Sequence, residues 1–181
     1  MKALIICGSR ERGFTSEMCL SFSKGLAVHG ISSEIVYPLE MNIGHCNGCG
    51  DCSADGRCSI SDDMERIYEA FGKSGLLVLA SPIHFSGPSS VIKTVVDRFQ
   101  PVWFRKRGHP AFAAALLSGG SPAPRFNNTT SIFKALSATA GMEWFGALEI
   151  SGTDDKEIQD IAEPSFQYGK EIGLLLVKDQ K

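Results

Sequence analysis

The chain lacks the marks of a membrane protein or a nucleic-acid binder. Its apolar runs, such as LLVLA and LLLV, are too short to span a bilayer. Its formal net charge is −2, and no basic surface of the kind that grips nucleic acid is implied. Neither G-x-G-x-x-G nor G-x4-G-K-[ST] occurs, which argues against dinucleotide and NTP sites of those types. There is no linker, repeat or low-complexity stretch, so the 181 residues read as one domain. Six cysteines are too few for a disulfide scaffold of this length, and 43% hydrophobic residues supply a core without staples. A reducing cytoplasm is the expected setting. MKALIICG opens like a signal peptide, but the GSRERG that follows reads as a strand running into a loop.

What is present alternates strand and helix. Residues 2–7, 33–37, 76–81, 111–118 and 143–150 read as strands, and residues 15–29, 61–74, 88–100, 129–140 and 155–177 as helices. Pro164 should break or kink the last helix. Five strands alternating with five helices imply an α/β fold, with a parallel sheet covered on both faces. Residues 41–60 have no period and read as a long loop. Ser61-Asp62-Asp63 should cap the helix that follows.

Three strand exits carry chemistry. The first, CGSRERGFTSE, offers hydroxyls (Ser9, Thr15, Ser16), guanidinium groups (Arg10, Arg12) and the N–H groups of a helix N-terminus. Together these make a phosphate cradle. The plainer alternative is a loop that caps its helix. The second exit is SPIHFSGPSS. Pro82 should leave the strand as a rigid turn that lays its backbone and the Phe85 ring along a flat aromatic ligand, with Gly87-Pro88 starting a helix. A loop that only packs its aromatic residue competes with this, and a lone His84 is more often a surface group than a catalyst. The third is SGGSPAPR, where Gly119 and Gly120 permit close backbone approach to a ligand, or form a flexible turn.

The fourth feature is HCNGCGDCSADGRC, with Cys46, Cys49, Cys52 and Cys58 spaced C-x2-C-x2-C-x5-C. Thiolates packed this closely can surround a metal centre. Gly48, Gly50 and Gly56 supply the backbone freedom such a curl needs. Zinc, a thiol/disulfide pair and an unmetallated loop are the competing readings, although structural zinc usually takes two separated Cys pairs. Cys7 and Cys19 read as buried small hydrophobes.

Taken together, GSRERGFTS, the Cys run followed by SDDM, SPIHFSGPSS with the following K-T-V-V-D-R, and LLSGGS resemble the NAD(P)H-dependent FMN reductase superfamily. Within it, the chain is most similar to the iron–sulfur flavoproteins. The resemblance spans roughly the first two-thirds of the chain, in order. It implies a flavodoxin-like, doubly wound fold of strand order 2-1-3-4-5 with FMN at the strand ends. Ser9, Arg10, Thr15 and Ser16 would then hold the phosphate. Pro82, Ile83, His84 and Phe85 would line the isoalloxazine ring, and Ser118, Gly119 and Gly120 would lie at its far edge. Cys46, Cys49, Cys52 and Cys58 would hold a [4Fe–4S] cluster. His84 stands where the family often has Tyr, and Gly13-Phe14 where many relatives have Gly-Asn. The Asp97-Arg98 pair matches the family's D-R pair and reads as a structural helix-end ion pair.

PVWFRKRGHP (residues 101–110) is basic and aromatic. It reads as a lid or subunit contact, or as a grip on a nicotinamide phosphate through Arg105, Lys106 and Arg107. The expected function is electron transfer between FMN and the cluster. The expected partners are a nicotinamide cofactor, NAD(P)H, a ferredoxin-like protein or a small oxidant, with a homodimer or tetramer as the assembly. A plain NAD(P)H-dependent FMN, quinone or nitro reductase with an empty Cys loop is one alternative. A zinc-bearing, non-enzymatic module is another. No residue is singled out as a catalytic acid or base.

Overall fold

The computed structural model describes residues 1–104 and 109–178. Arg105, Lys106 and Arg107 lie outside the described residues. The first strand, β1 (Lys2–Cys7), is an unbroken apolar run because it is buried on both faces. Helix α1 (Phe14–Ala27) follows, then β2 (Ser32–Val36), the short helix α2 (Cys52–Asp55) and α3 (Met64–Gly72). Strand β3 (Leu76–His84) leads through a two-residue strand, β4 (Gly87–Pro88), to α4 (Ser90–Arg98) and α5 (Gln100–Phe104). The chain ends with β5 (Phe112–Gly119), α6 (Asn127–Ala140), β6 (Glu143–Ser151) and α7 (Ile158–Lys178).

The five long strands are parallel and ordered β2-β1-β3-β5-β6, with β4 paired antiparallel to β3. Counted without β4, this is the expected 2-1-3-4-5 order. Alternation within the strands divides the core in two. Leu4, Ile6, Leu77, Leu79, Ala115 and Leu117 face α3, α4 and α6. Ala3, Ile5, Val78, Ala80 and Leu116 face α1 and α7. Helices α1 and α7 meet backbone to backbone at Gly25 and Gly169, where an added Cβ would lie 2.2 Å from Phe166 O or Phe22 O.

Three local expectations change. Helix α7 runs through Pro164 as one element. The Cys loop carries one turn of helix, α2, at Cys52. Strand β3 continues through Pro82 to His84 and hairpins back, so α4 begins at Ser90 with Ser89 as its N-cap, and Gly87-Pro88 starts no helix. Pro82 is tolerated there because β1 pairs with β3 only as far as Ala80, so on that side its missing N–H leaves no ladder bond unmade. Among the described residues, no helix is long and apolar enough to cross a membrane.

Candidate functional site

Strand order reverses at β1, so the carboxyl ends of β1 and β3 frame a crevice where open α/β sheets bind ligands. A cleft of about 650 Å³ opens there. Ser9, Thr15, Pro82, Ile83, His84, Phe85, Ser118 and Gly120 line it. Thr15 Oγ1 lies 2.7 Å from Ser118 Oγ, tying the start of α1 to the end of β5. Gly13 stands extended at the N-cap of α1, and among the described residues no side chain caps the helix. The first-turn N–H groups, which have no intrahelical acceptor, therefore remain free and electropositive. With the Ser9 and Thr15 hydroxyls they suit a phosphate monoester, and the cleft has the size of a small-molecule site. The residues present fit FMN.

Four expected residues do not line the cleft. Ser16 is buried, its hydroxyl 2.9 Å from Tyr37 Oη. Arg10 and Arg12 are exposed on the loop, with Arg12 at φ 64°. Gly119 is buried against Pro124 and Phe126. The close approach that Gly119 and Gly120 permit is made here by the chain itself: added Cβ atoms would meet Pro124 Cγ at 2.4 Å and Asp154 Oδ1 at 2.5 Å. Sequence reasoning missed Arg125, Thr153 and Asp154, which also line the cleft. Only Gly152, left-handed at φ 66° after β6, hinted that the chain turns back there.

The β1 exit is clamped from below. Ser89 Oγ donates to Gly8 O at 2.7 Å, and Ser89 N donates to Ser81 Oγ at 2.9 Å. A Cβ on Gly8 would lie 2.7 Å from Ser89 Oγ and 2.8 Å from Ile92 Cβ, so this position admits no side chain. The buried Cys7 thiol beneath the loop is drawn down to about 7. A hydrogen bond from Cys19 leads, burial opposes it and Ser9 assists. The β3–β4 hairpin is tighter than its sequence favours. Phe85 and Ser86 both take positive φ, 49° and 65°. Two-residue turns of that kind prefer Asn-Gly, and a bulky residue there is strained. The turn leaves the Phe85 ring wholly exposed at the cleft's lip.

A second cavity of about 400 Å³ is lined by Cys46, Cys49, Cys52 and Cys58 together, with Arg98 and Phe104. Gly48, Gly50 and Gly56 adopt φ of 72°, 82° and 72°. Gly48 and Gly50 have open space around them, so the loop needs them for its turns and not for room. All four thiols are free. Burial leads in raising the Cys52 thiol, and the neighbouring Cys58, Cys49 and Cys46 sulfurs add repulsion. Among the described residues no three His, Cys, Asp or Glu side chains already converge on one metal position. The donor set therefore fits a thiolate-ligated centre in number, type and shared cavity, with the sulfurs standing apart.

The base of this loop is held by Arg98, which pairs with Asp62 and not with its neighbour Asp97. Its guanidinium makes two bonds to the Asp62 carboxylate, at 2.6 and 3.0 Å. Asp97 instead bonds Lys93 at 2.7 Å. Burial would raise the Asp62 carboxyl, but bonds from Arg98, Gly44 N and Met64 N outweigh it and hold it below the usual carboxylate range. Asp62 also accepts from Met64 N, the first residue of α3, at 2.9 Å, while the N-cap residue Asp63 makes no side-chain cap bond of the kind expected.

The chain is similar to several known proteins. An iron-sulfur flavoprotein of Archaeoglobus fulgidus is 36% identical over 106 residues, covering 58% of this chain and 48% of the relative. An iron-sulfur flavoprotein of Methanocaldococcus jannaschii is 31% identical, covering 56% and 53%. The chain spans about half the length of these curated relatives. The flavodoxin-like fold recurs in a WrbA-like flavodoxin from Agrobacterium tumefaciens, with a TM-score of 0.68 at 16% identity over 98% of each chain. Residues 1–145, from β1 into β6, match the NADPH-dependent FMN reductase family, and the chain belongs to that family.

Proposed function

We propose that this protein is an FMN-dependent oxidoreductase with a second redox centre, a [4Fe–4S] cluster held by Cys46, Cys49, Cys52 and Cys58. The observation that carries the reading is the grouping of all four cysteines around one cavity in a chain of the FMN reductase family. The names of the curated relatives support it. Bound at these sites, FMN would supply two-electron chemistry and the cluster one-electron chemistry.

The chain's own part is to bind and orient. The α1 N-terminus, Ser9 and Thr15 take the phosphate. Pro82, Ile83 and His84 present an edge for the ring, and Phe85 guards its open face. The expected donor is NAD(P)H, and the expected acceptor is a ferredoxin-like protein or small oxidant. Phe104, which lines the Cys cavity, and its neighbour Trp103 are 50% and 63% exposed and suit a contact between copies in a homodimer or tetramer.

The separation of the sulfurs favours one other reading, a plain NAD(P)H-dependent quinone or nitro reductase with an empty loop. An absorption spectrum with iron and acid-labile sulfide assays, on protein purified without oxygen, separates the two. About four irons and four sulfides per chain beside flavin bands support the two-centre reading. Flavin bands alone support the plain reductase.

A further inference from the structure

Arg98 is the largest side chain that the fold buries completely, at 1% exposure, and it is charged. A buried cation needs full satisfaction, and what satisfies this one is the Cys loop. Besides the two bonds to Asp62, Nη1 donates to Gly44 O at 2.7 Å and Nη2 to Ile60 O at 3.2 Å. Those carbonyls stand on either side of the Cys46–Cys58 segment, two residues before it and two after it. Asp62 repeats the grip, accepting from Gly44 N at 2.9 Å. One guanidinium thus joins both ends of the segment that carries all four thiols. Arg98 also lines the thiol cavity, and its Nε has no hydrogen-bond partner among the described residues. A buried donor left without a partner needs an explanation, and on a residue that lines a cavity shared by four sulfurs an acceptor bound in that cavity would supply one.

Helix α4 connects this grip to the other site. Its N-cap, Ser89, holds Gly8 and Ser81 next to the cleft residues Ser9 and Pro82, while its last residue is Arg98. Nine helical residues span about 13 Å, so α4 sets the two sites at a fixed spacing within one chain.

We infer that Arg98 is a positioning residue for the cysteine-bound centre: it closes the mouth of the Cys loop and anchors it, through α4, to the flavin cleft. This rests on the two-centre reading proposed above. Arg98 touches neither flavin nor substrate, and it acts through the loop. An outer partner of this kind governs metal affinity about 10–100-fold.

The test uses the full chain, prepared and reconstituted without oxygen, with Arg98→Gln, Arg98→Lys and Asp62→Asn beside the wild type. Flavin per chain should be unchanged in all. Arg98→Gln should lose iron and sulfide, with affinity falling about 10–100-fold, and Arg98→Lys should recover part of it. Asp62→Asn leaves the Arg98 charge unneutralised beside the cavity. The cluster potential, followed by EPR in a redox titration, should rise while the flavin potential stays. A merely structural pair would not move one potential alone. Hydrogen exchange of the metal-free proteins gives a separate arm, with amides of residues 44–62 exchanging faster in Arg98→Gln and the sheet unchanged. If Arg98→Gln does not fold, the Lys and Asn variants carry the test. Unchanged iron, sulfide and loop exchange across the variants would overturn the inference. A wild type that takes up no iron sinks the two-centre reading instead, and the exchange arm still decides the role of Arg98.

Discussion

The cleft at the strand ends and the Cys cavity lie close together in the fold but are built in different ways. The cleft is assembled by backbone: parallel strand ends, a free helix N-terminus and a glycine pressed against Ser89 and Ile92. Its geometry follows from the sheet. The Cys cavity is assembled by a loop whose thiols are half-buried or exposed and whose base rests on one buried ion pair. The cleft is therefore preorganised, while the cavity depends on side-chain bonds and on whatever the thiols bind. Sites on rigid elements hold their shape better than sites on loops.

The sharpest way to separate the regions is to remove a thiol. Cys49→Ser should abolish iron and sulfide binding while flavin content stays, because Cys49 is exposed and supports no packing. Metal analysis beside the flavin spectrum reads this out. Next comes the clasp. Arg98→Ala leaves Asp62 as an unpaired, nearly buried charge and should cost about 3–5 kcal/mol in urea unfolding. Gly8→Ala breaks the other side of the comparison. Crowding Ser89 and Ile92 should cost about 1–3 kcal/mol and weaken flavin binding, measured by fluorescence titration, with iron content unchanged.

The clasp also carries a pH signature. The native Asp62 carboxyl is held low, so its contribution to stability is complete above the ordinary carboxylate pKa, about 4. It is lost as pH falls through the depressed native value. The gap in urea midpoint between wild type and Asp62→Asn should be constant above that range and close below it. The smallest effect concerns the hairpin. Asn-Gly in place of Phe85-Ser86 relieves two left-handed residues and should stabilise by about 1 kcal/mol, at the expense of the ring at the cleft's lip.

Much of this was legible in the sequence, and the exceptions have physical causes. The strands were plain because burial on both faces writes an uninterrupted apolar run, as in LIIC and LLVLA. Cys46 to Cys58 stood out because local spacing carries the signal. The β3–β4 hairpin was hidden because two prolines and Phe-Ser are poor hairpin chemistry, and tertiary contacts impose it. The Asp62 partner of Arg98 lies 36 residues upstream, which no helical spacing reveals, while adjacent Asp97 points elsewhere. Thr153 and Asp154 reach the cleft only because β6 lies beside β5 in the sheet.

One experiment compares the two regions in a single sample: chelate the metal from anaerobically purified protein, then record flavin content and a hydrogen-exchange map before and after. Two separately built sites predict that flavin is retained and that exchange rises across residues 44–62 while the strands around the cleft stay protected. Loss of flavin together with the metal, or exchange rising through β1 and β3 as well, would contradict it.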